Sequence, residues 1–180
     1  MIEYRDAQRP DADAVARLHA QSWRESYRGS FTDAFLDDEQ PAERIGVWRE
    51  RLGRPAPNQL VRLAFAGADL MGFVCVYAAR DPDWGSLIDN LHVRHDATKR
   101  GTGAALMRAA AEWCWTAYPA RPIHLLVLRA NANALAFYDR LGGTNAEEDE
   151  RQQHGGGIAY GYRYTWPNAQ AILDRTQSPD

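Results

Sequence analysis

Thr98-Lys99-Arg100-Gly101-Thr102-Gly103 sets two cations and two glycines just ahead of a run of strong helix formers, Ala104 to Trp113. A helix N-terminus exposes unpaired N–H groups at the positive end of its dipole, and glycine lets an anion come close to the backbone. The chemistry on offer is a pyrophosphate cradle, with Lys99 and Arg100 adding charge beside it. This is not a G-x-x-x-x-G-K-[ST] loop, and GTGAAL lacks the third glycine of a dinucleotide fingerprint. By itself, G-x-G before a helix is equally a tight turn without a ligand. His92, His95 and Asp96 have metal-ligand spacing, but no second cluster accompanies them. His154-Gly-Gly-Gly suggests an oxyanion hole only beside a G-x-S-x-G elbow, which is missing, so it reads as a hairpin turn.

The periodicity of the apolar residues gives the elements that must hold this loop. Ile2 to Asp6 reads as a first strand, and Pro10 opens a helix striped by Val15, Leu18, Ser22 and Trp23 and ending at Gly29. Phe31–Leu36 and Pro41–Leu52 read as a second, broken helical region, with Arg44, Arg49 and Arg51 on a solvated face. VRLAFAG and LMGFVCVYA are strands joined at Gly67–Asp69, and SLIDNLHV at 86–93 is the strand feeding the loop. The helix after the loop stops before Pro119. IHLLVL at 123–128 suits a strand buried on both faces. NANALAFYDRLGG is a further helix, IAYGYRYTW at 158–166 a closing strand, and 168–180 a polar tail. One domain over 1–167 follows, an α/β (α+β) fold around one mixed sheet.

Composition narrows the class. A chain of 180 residues, 45% of them hydrophobic, suffices for one self-supporting core. With 21 basic and 24 acidic residues the net charge is -3, which argues against a general nucleic-acid binder. No apolar run reaches the ~18–20 residues of a membrane span, and MIEYRDAQRP has no apolar signal core. Cys75 and Cys114 are widely separated in apolar contexts, as expected of inert thiols in a reducing cytoplasm.

Two segments together resemble the GNAT superfamily of N-acetyltransferases. Leu91-His92-Val93 leads into Thr98–Gly103 as that family's strand leads into R/Q-x-x-G-x-G/A, and Asn131, Ala134, Phe137, Tyr138 and Gly142 match its N-x-x-A-x-x-F-Y-x-x-x-G segment. The chain departs at Thr98, where the family has Arg or Gln. The resemblance implies a mixed, mostly antiparallel sheet with a splayed strand pair flanked by helices, in the order β-α-α-β-β-β-α-β-α-β-β.

It further implies acetyl-CoA as acetyl donor, with its pyrophosphate on the amides of Arg100, Gly101, Thr102, Gly103 and Ala104 and with Lys99 and Arg100 nearby. The pantetheine arm would run along Leu91 and Val93 and meet Asn131. Tyr138 matches the family's general acid for the departing thiolate. The base is left open between Asp89, His92 and a water chain; Asp89 would alternatively fix the amine as an anion, or be an ordinary hydrogen-bonded carboxylate. A bulge would break the parity that sets Asp89, Leu91 and Val93 on one face and Asn90 and His92 on the other. Tyr27, Trp84 and Asp89 are candidates for binding a primary amine of a small molecule or peptide, and Trp23 reads as core. No metal, nucleic acid or membrane partner is expected. The aromatic strand 158–166 offers an edge for a homodimer. A CoA-binding module without transfer activity is the alternative.

Overall fold

The computed structural model describes residues 1–29, 31–98, 100–152 and 158–176. Strand β1 (Glu3–Asp6) is followed by helices α1 (Ala12–Tyr27) and α2 (Gln40–Gly53), the second entered through a wide π-type turn at Phe35–Glu39. Strands β2 (Gln59–Ala66), β3 (Asp69–Asp81) and β4 (Gly85–Val93) lead to helix α3 (Thr102–Ala117), and β5 (Ile123–Leu128) to α4 (Ala132–Arg140). Strands β6 (Thr144–Gln152) and β7 (Ile158–Trp166) precede α5 (Ala169–Thr176).

The seven strands form one sheet in the order β1-β2-β3-β4-β5-β7-β6. Every neighbouring pair is antiparallel except β4–β5. That parallel pair is short: only Ser86–Leu87 of β4 meets Ile123–His124 of β5. The closed end is pinned at Gly85, where φ is +75° and a Cβ would lie 2.1 Å from the Pro122 carbonyl oxygen. Only glycine fits there. Beyond Leu87 and His124 the two strands part.

Helices α1 and α2 cover one face of β2–β3, burying Val15, Leu18, Trp48 and Leu52 on Val61, Leu63, Phe73 and Cys75. Helix α3 covers the other, where Leu106, Met107 and Ala110 pack with Val74, Val76, Ile88, Leu125 and Trp166. Burial pushes the Cys75 and Cys114 thiols up to about 12 and about 11, so neither is reactive near neutrality.

Three features differ from the sequence reading. Residues 169–176 are a helix rather than a polar tail, because Ala169, Ile172 and Leu173 recur on one face and pack on the α3 side. Strand β7 is not an edge: it pairs with β5 and with β6, so the edge argument for a dimer falls. The edge is β6, whose acidic residues discourage further pairing. And β5 is buried mainly toward α3, while Leu126 and Leu128, on its other face, are half-buried.

Candidate active site

The open end of β4–β5 is where the elements converge. Gly101 caps α3 in the left-handed conformation, φ +80°, with open space where a Cβ would be. The N–H groups of Thr102, Gly103 and Ala104 therefore begin the helix with no intrahelical acceptor. The Thr102 side chain is buried next to Tyr4 and so takes no part in the loop's outer face. A Cβ on Gly103 would meet Phe137 of α4 at 3.4 Å and Val93 of β4 at 3.8 Å. The loop, the end of β4 and helix α4 thus meet at one point. Thr98 donates its hydroxyl to the His95 carbonyl at 2.7 Å and serves its own turn. Arg100 is exposed, and Lys99 lies outside the described residues, as do residues 154–157.

Strand β4 carries a bulge. Cys75 pairs with Asn90 and Val76 with Ile88, leaving Asp89 as the extra residue. The bulge resets the alternation, as the sequence allowed. Leu91 and Val93 turn to the α3 side and pack on its core. Asn90 and His92 turn to the α1–α2 side, and Asp89 joins them, since it pairs with Arg51 of α2 at 2.6 Å. Asn90 donates to the same carboxylate in a short contact.

Helix α4 is fastened at its far end by Tyr164, which donates to Asp139 at 2.8 Å, and by the Trp166 indole, which donates to the Leu141 carbonyl at 2.9 Å. Its first turn is capped by Asn131, whose Oδ1 accepts from the Ala134 N–H at 3.1 Å. Tyr138, one exposed edge aside, is buried among Phe137, Tyr164 and Trp166. Burial, reinforced by the nearby Tyr27 phenol, raises Tyr138 well above the usual phenol value, so it keeps its proton at neutral pH. Tyr27, at the end of α1, lies beside the Asn131 side chain. Two candidates from the α4 motif, Asn131 and Tyr138, and one from the first helix, Tyr27, are thereby brought together.

Trp84 is not part of this cluster. It sits at the β3–β4 turn, on the closed side, under Arg163 (4.8 Å) and with its carbonyl 2.9 Å from His124 Nδ1.

On the α1–α2 side the structure assembles residues that the sequence did not single out. His19 of α1 stacks on His92 with ring centroids 4.6 Å apart. The Trp48 indole donates to His19 Nδ1 at 3.0 Å, leaving the His19 proton on Nε2. Burial, with Arg44 adding to it, lowers His92 to about 4, and burial, then His92, Arg44 and Arg51, puts His19 well below its ordinary value. Both imidazoles are neutral at pH 7. Trp23, read as core, is half-buried and begins an aromatic chain through Tyr27 and Phe31. Arg44 and Arg51 face inward, with side chains 17% and 27% exposed, whereas Arg49 at 63% is the solvated one. The four-residue spacing of Gln40, Arg44 and Trp48 was the available signal.

These residues fit a CoA thioester: a glycine-lined helix N-terminus for pyrophosphate, and a strand edge free of β5 for an extended arm. Among the described residues no cluster could hold a metal ion, and no helix is long and apolar enough to cross a membrane.

Comparison with known proteins agrees. Superposition on solved structures finds the same fold in the PaiA N-acetyltransferase of Thermoplasma acidophilum in complex with coenzyme A (18% identity, TM-score 0.71, covering 92% of this chain and 99% of that one). A putative GNAT acetyltransferase of Desulfovibrio desulfuricans gives 18%, 0.70, 93% and 99%. A GNAT-family acetyltransferase of Streptococcus pneumoniae gives 23%, 0.65, 92% and 98%. A search of curated proteins finds no match. The sequence model of the acetyltransferase (GNAT) family matches residues 20–143, which run from the second half of α1 through α2, the splayed strands, the glycine loop and α4. The chain therefore belongs to the GNAT acetyltransferase family, enzymes whose acyl donor is acetyl-CoA.

Proposed function

We propose that this enzyme moves the acetyl group of acetyl-CoA directly to a primary amine of a small molecule or peptide, with Tyr138 as general acid. The observation that carries the reading is Tyr138 itself: a phenol kept protonated by burial, beside Tyr27, which in turn touches the Asn131 side chain. Acetyl-CoA, when bound, supplies an activated carbonyl and a thiolate leaving group. The amides of Gly101 to Ala104 hold its pyrophosphate, and the free edge of β4 at Leu91 and Val93 aligns its arm. The amine nitrogen bonds to the carbonyl carbon as the carbon–sulfur bond breaks. Tyr138 gives its proton to the sulfur, and the amine gives one up on the α1–α2 side.

Two groups there can take that proton. Asp89 is held at one oxygen, Oδ2, by both Arg51 and Asn90, and its charge is engaged in that ion pair. His92 is a neutral imidazole, half-buried and so within reach of the cleft. We assign the base to His92 and give Asp89 the role of holding Arg51. A neutral imidazole accepts a proton without first losing one.

Replacing Tyr138 by Phe tests the reading. The expected result is a fall in kcat of roughly 10²–10⁴-fold, the usual worth of a general acid, with the acetyl-CoA-induced rise in melting temperature retained. An unchanged kcat removes Tyr138 from the chemistry. The two unreactive free thiols suit a cytoplasmic setting. A homodimer remains the assembly proposed, now through Ile158 and Tyr160, which are 49% and 54% exposed on β7; a monomeric mass at micromolar concentration would contradict it.

A further inference from the structure

Helices α1 and α2 run antiparallel, and three contacts set their register. Asp13 meets Arg49 at 2.7 Å, His19 meets Trp48 at 3.0 Å, and Trp23 lies under Arg44 at 5.9 Å. Four residues earlier on α2 stands Gln40, on the same face as Arg44 and Trp48. The progression 19–48, 23–44 sets Gln40 opposite Tyr27, the residue that touches Asn131 and neighbours Tyr138.

Gln40 is 1% exposed, and neither its Oε1 nor its Nε2 has a hydrogen-bond partner. The Nε of Arg44 is likewise buried and unpartnered, while its Nη2 is tied to the outward Glu43 at 2.6 Å. Buried polar groups without partners are rare because each one costs stability. Three such atoms stand on consecutive turns of the α2 face that is turned toward α1, buried donors and an acceptor left for a group that enters between the two helices.

We propose that Gln40 and Arg44 bind a carboxylate carried by the acceptor, so that the enzyme acetylates amines that also bear a carboxylate, as amino acids and peptide-like acids do. The proposal rests on the N-acetyltransferase reading above. Two N–H donors, one of them cationic, match the two oxygens of a carboxylate. The Gln40 Oε1 accepts an N–H of the same acceptor. Asp89 is already committed to Arg51, so it is not a free anion for a second ammonium. A polyamine's second ammonium would meet Arg44 and Arg51, whose carboxylate partners Glu43 and Asp89 are already engaged. Trp23, Tyr27 and Phe31 supply an apolar wall for the acceptor's body.

The test compares acceptors that differ only in the carboxylate: L-phenylalanine with phenethylamine, and L-lysine with cadaverine, read by release of the CoA thiol. The carboxylate-bearing member of at least one pair is expected to show a kcat/KM roughly 10- to 100-fold higher, the scale of one charge-assisted hydrogen-bonded pair, mainly through KM. Arg44→Gln and Gln40→Leu are each expected to bring that ratio toward one. Gln40→Leu should keep or raise the melting temperature, because it removes an unpartnered amide and breaks no internal hydrogen bond; a purely structural glutamine would predict a loss. Equal or reversed preference in the unmodified protein overturns the proposal, as does a preference that survives both substitutions. Acetyl-CoA binding without turnover of any carboxylate-bearing amine overturns the proposal alone. Failure of acetyl-CoA to raise the melting temperature, with no acetylation of any amine, overturns the transferase reading beneath it.

Discussion

The two sides of β4 are built on different principles. Toward α3, the proposed site consists of backbone: the amides after Gly101, the free edge at Leu91 and Val93, and the close approach of Gly103 to Phe137. Toward α1 and α2 it consists of side chains: His92, Asp89 and Asn90 on β4, His19 and Trp23 on α1, Gln40 and Arg44 on α2. A ligand common to a whole family can be held by main chain, which any sequence supplies once glycines permit the shape. A ligand peculiar to one enzyme needs side chains, and these come from three elements whose register only the packed fold sets.

That contrast predicts where substitutions will hurt, and how. The largest effect is expected at His92. His92→Gln should lower kcat by roughly 10²-fold or more if the imidazole takes the amine proton, with acetyl-CoA binding intact, while Asp89→Asn should cost less than about tenfold because its ion pair is half-exposed. Steady-state rates of the two variants side by side decide it; the reverse order would return the base to Asp89.

On the backbone side, Gly103→Val should weaken acetyl-CoA binding by roughly tenfold or more, since its extra methyls drive into Phe137 and overpacking of this kind costs about 1–3 kcal/mol. Calorimetric titration with CoA measures it. Affinity unchanged by the valine would mean that the loop does not carry the cofactor.

The smallest effect is a pH dependence of stability. His92 has a folded value of about 4 and an ordinary one of 6.5. Above pH 6.5 both states are neutral and the protein is at full strength. As pH falls from 6.5 toward 4 the unfolded chain takes up protons that the folded one refuses, and stability is lost. The loss should approach about 3 kcal/mol, or several degrees of melting temperature, by pH 4. His19, also held neutral, adds in the same direction. The paired carboxylates Asp11 and Asp96, held below their ordinary value by Arg5 and Arg94, lose their contribution only at lower pH. A His92→Gln variant should therefore melt with a flatter profile between pH 6.5 and 4.

The same contrast explains what could be read in advance. Gly101, Gly103, Asn131 and Tyr138 stand in short motifs, because a strand–loop–helix unit brings its own backbone to a point. The parting of β4 from β5 was expected from the family resemblance, and the bulge at Asp89 was anticipated without its position. On the acceptor side, Arg44 and Arg51 looked like solvated charges among glutamates, and only the four-residue spacing of Arg44 from Trp48 set it apart from Arg49. Their inward turn depends on the antiparallel register of α1 and α2. Trp84 was drawn toward the site by its place before β4, but the strand runs away from it. Helix α5 was hidden by polar neighbours around only three buried residues, Ala169, Ile172 and Leu173.

Hydrogen exchange with and without acetyl-CoA tests the central division most directly. The account predicts protection on adding acetyl-CoA at the amides of Arg100 to Ala104 and along Leu91 to Val93, with residues 40–48 of α2 unchanged until an amine acceptor or product is added. ATP should produce no such pattern. Protection absent from the glycine loop, or the same pattern with ATP, would contradict the assignment of the α3 side to acetyl-CoA.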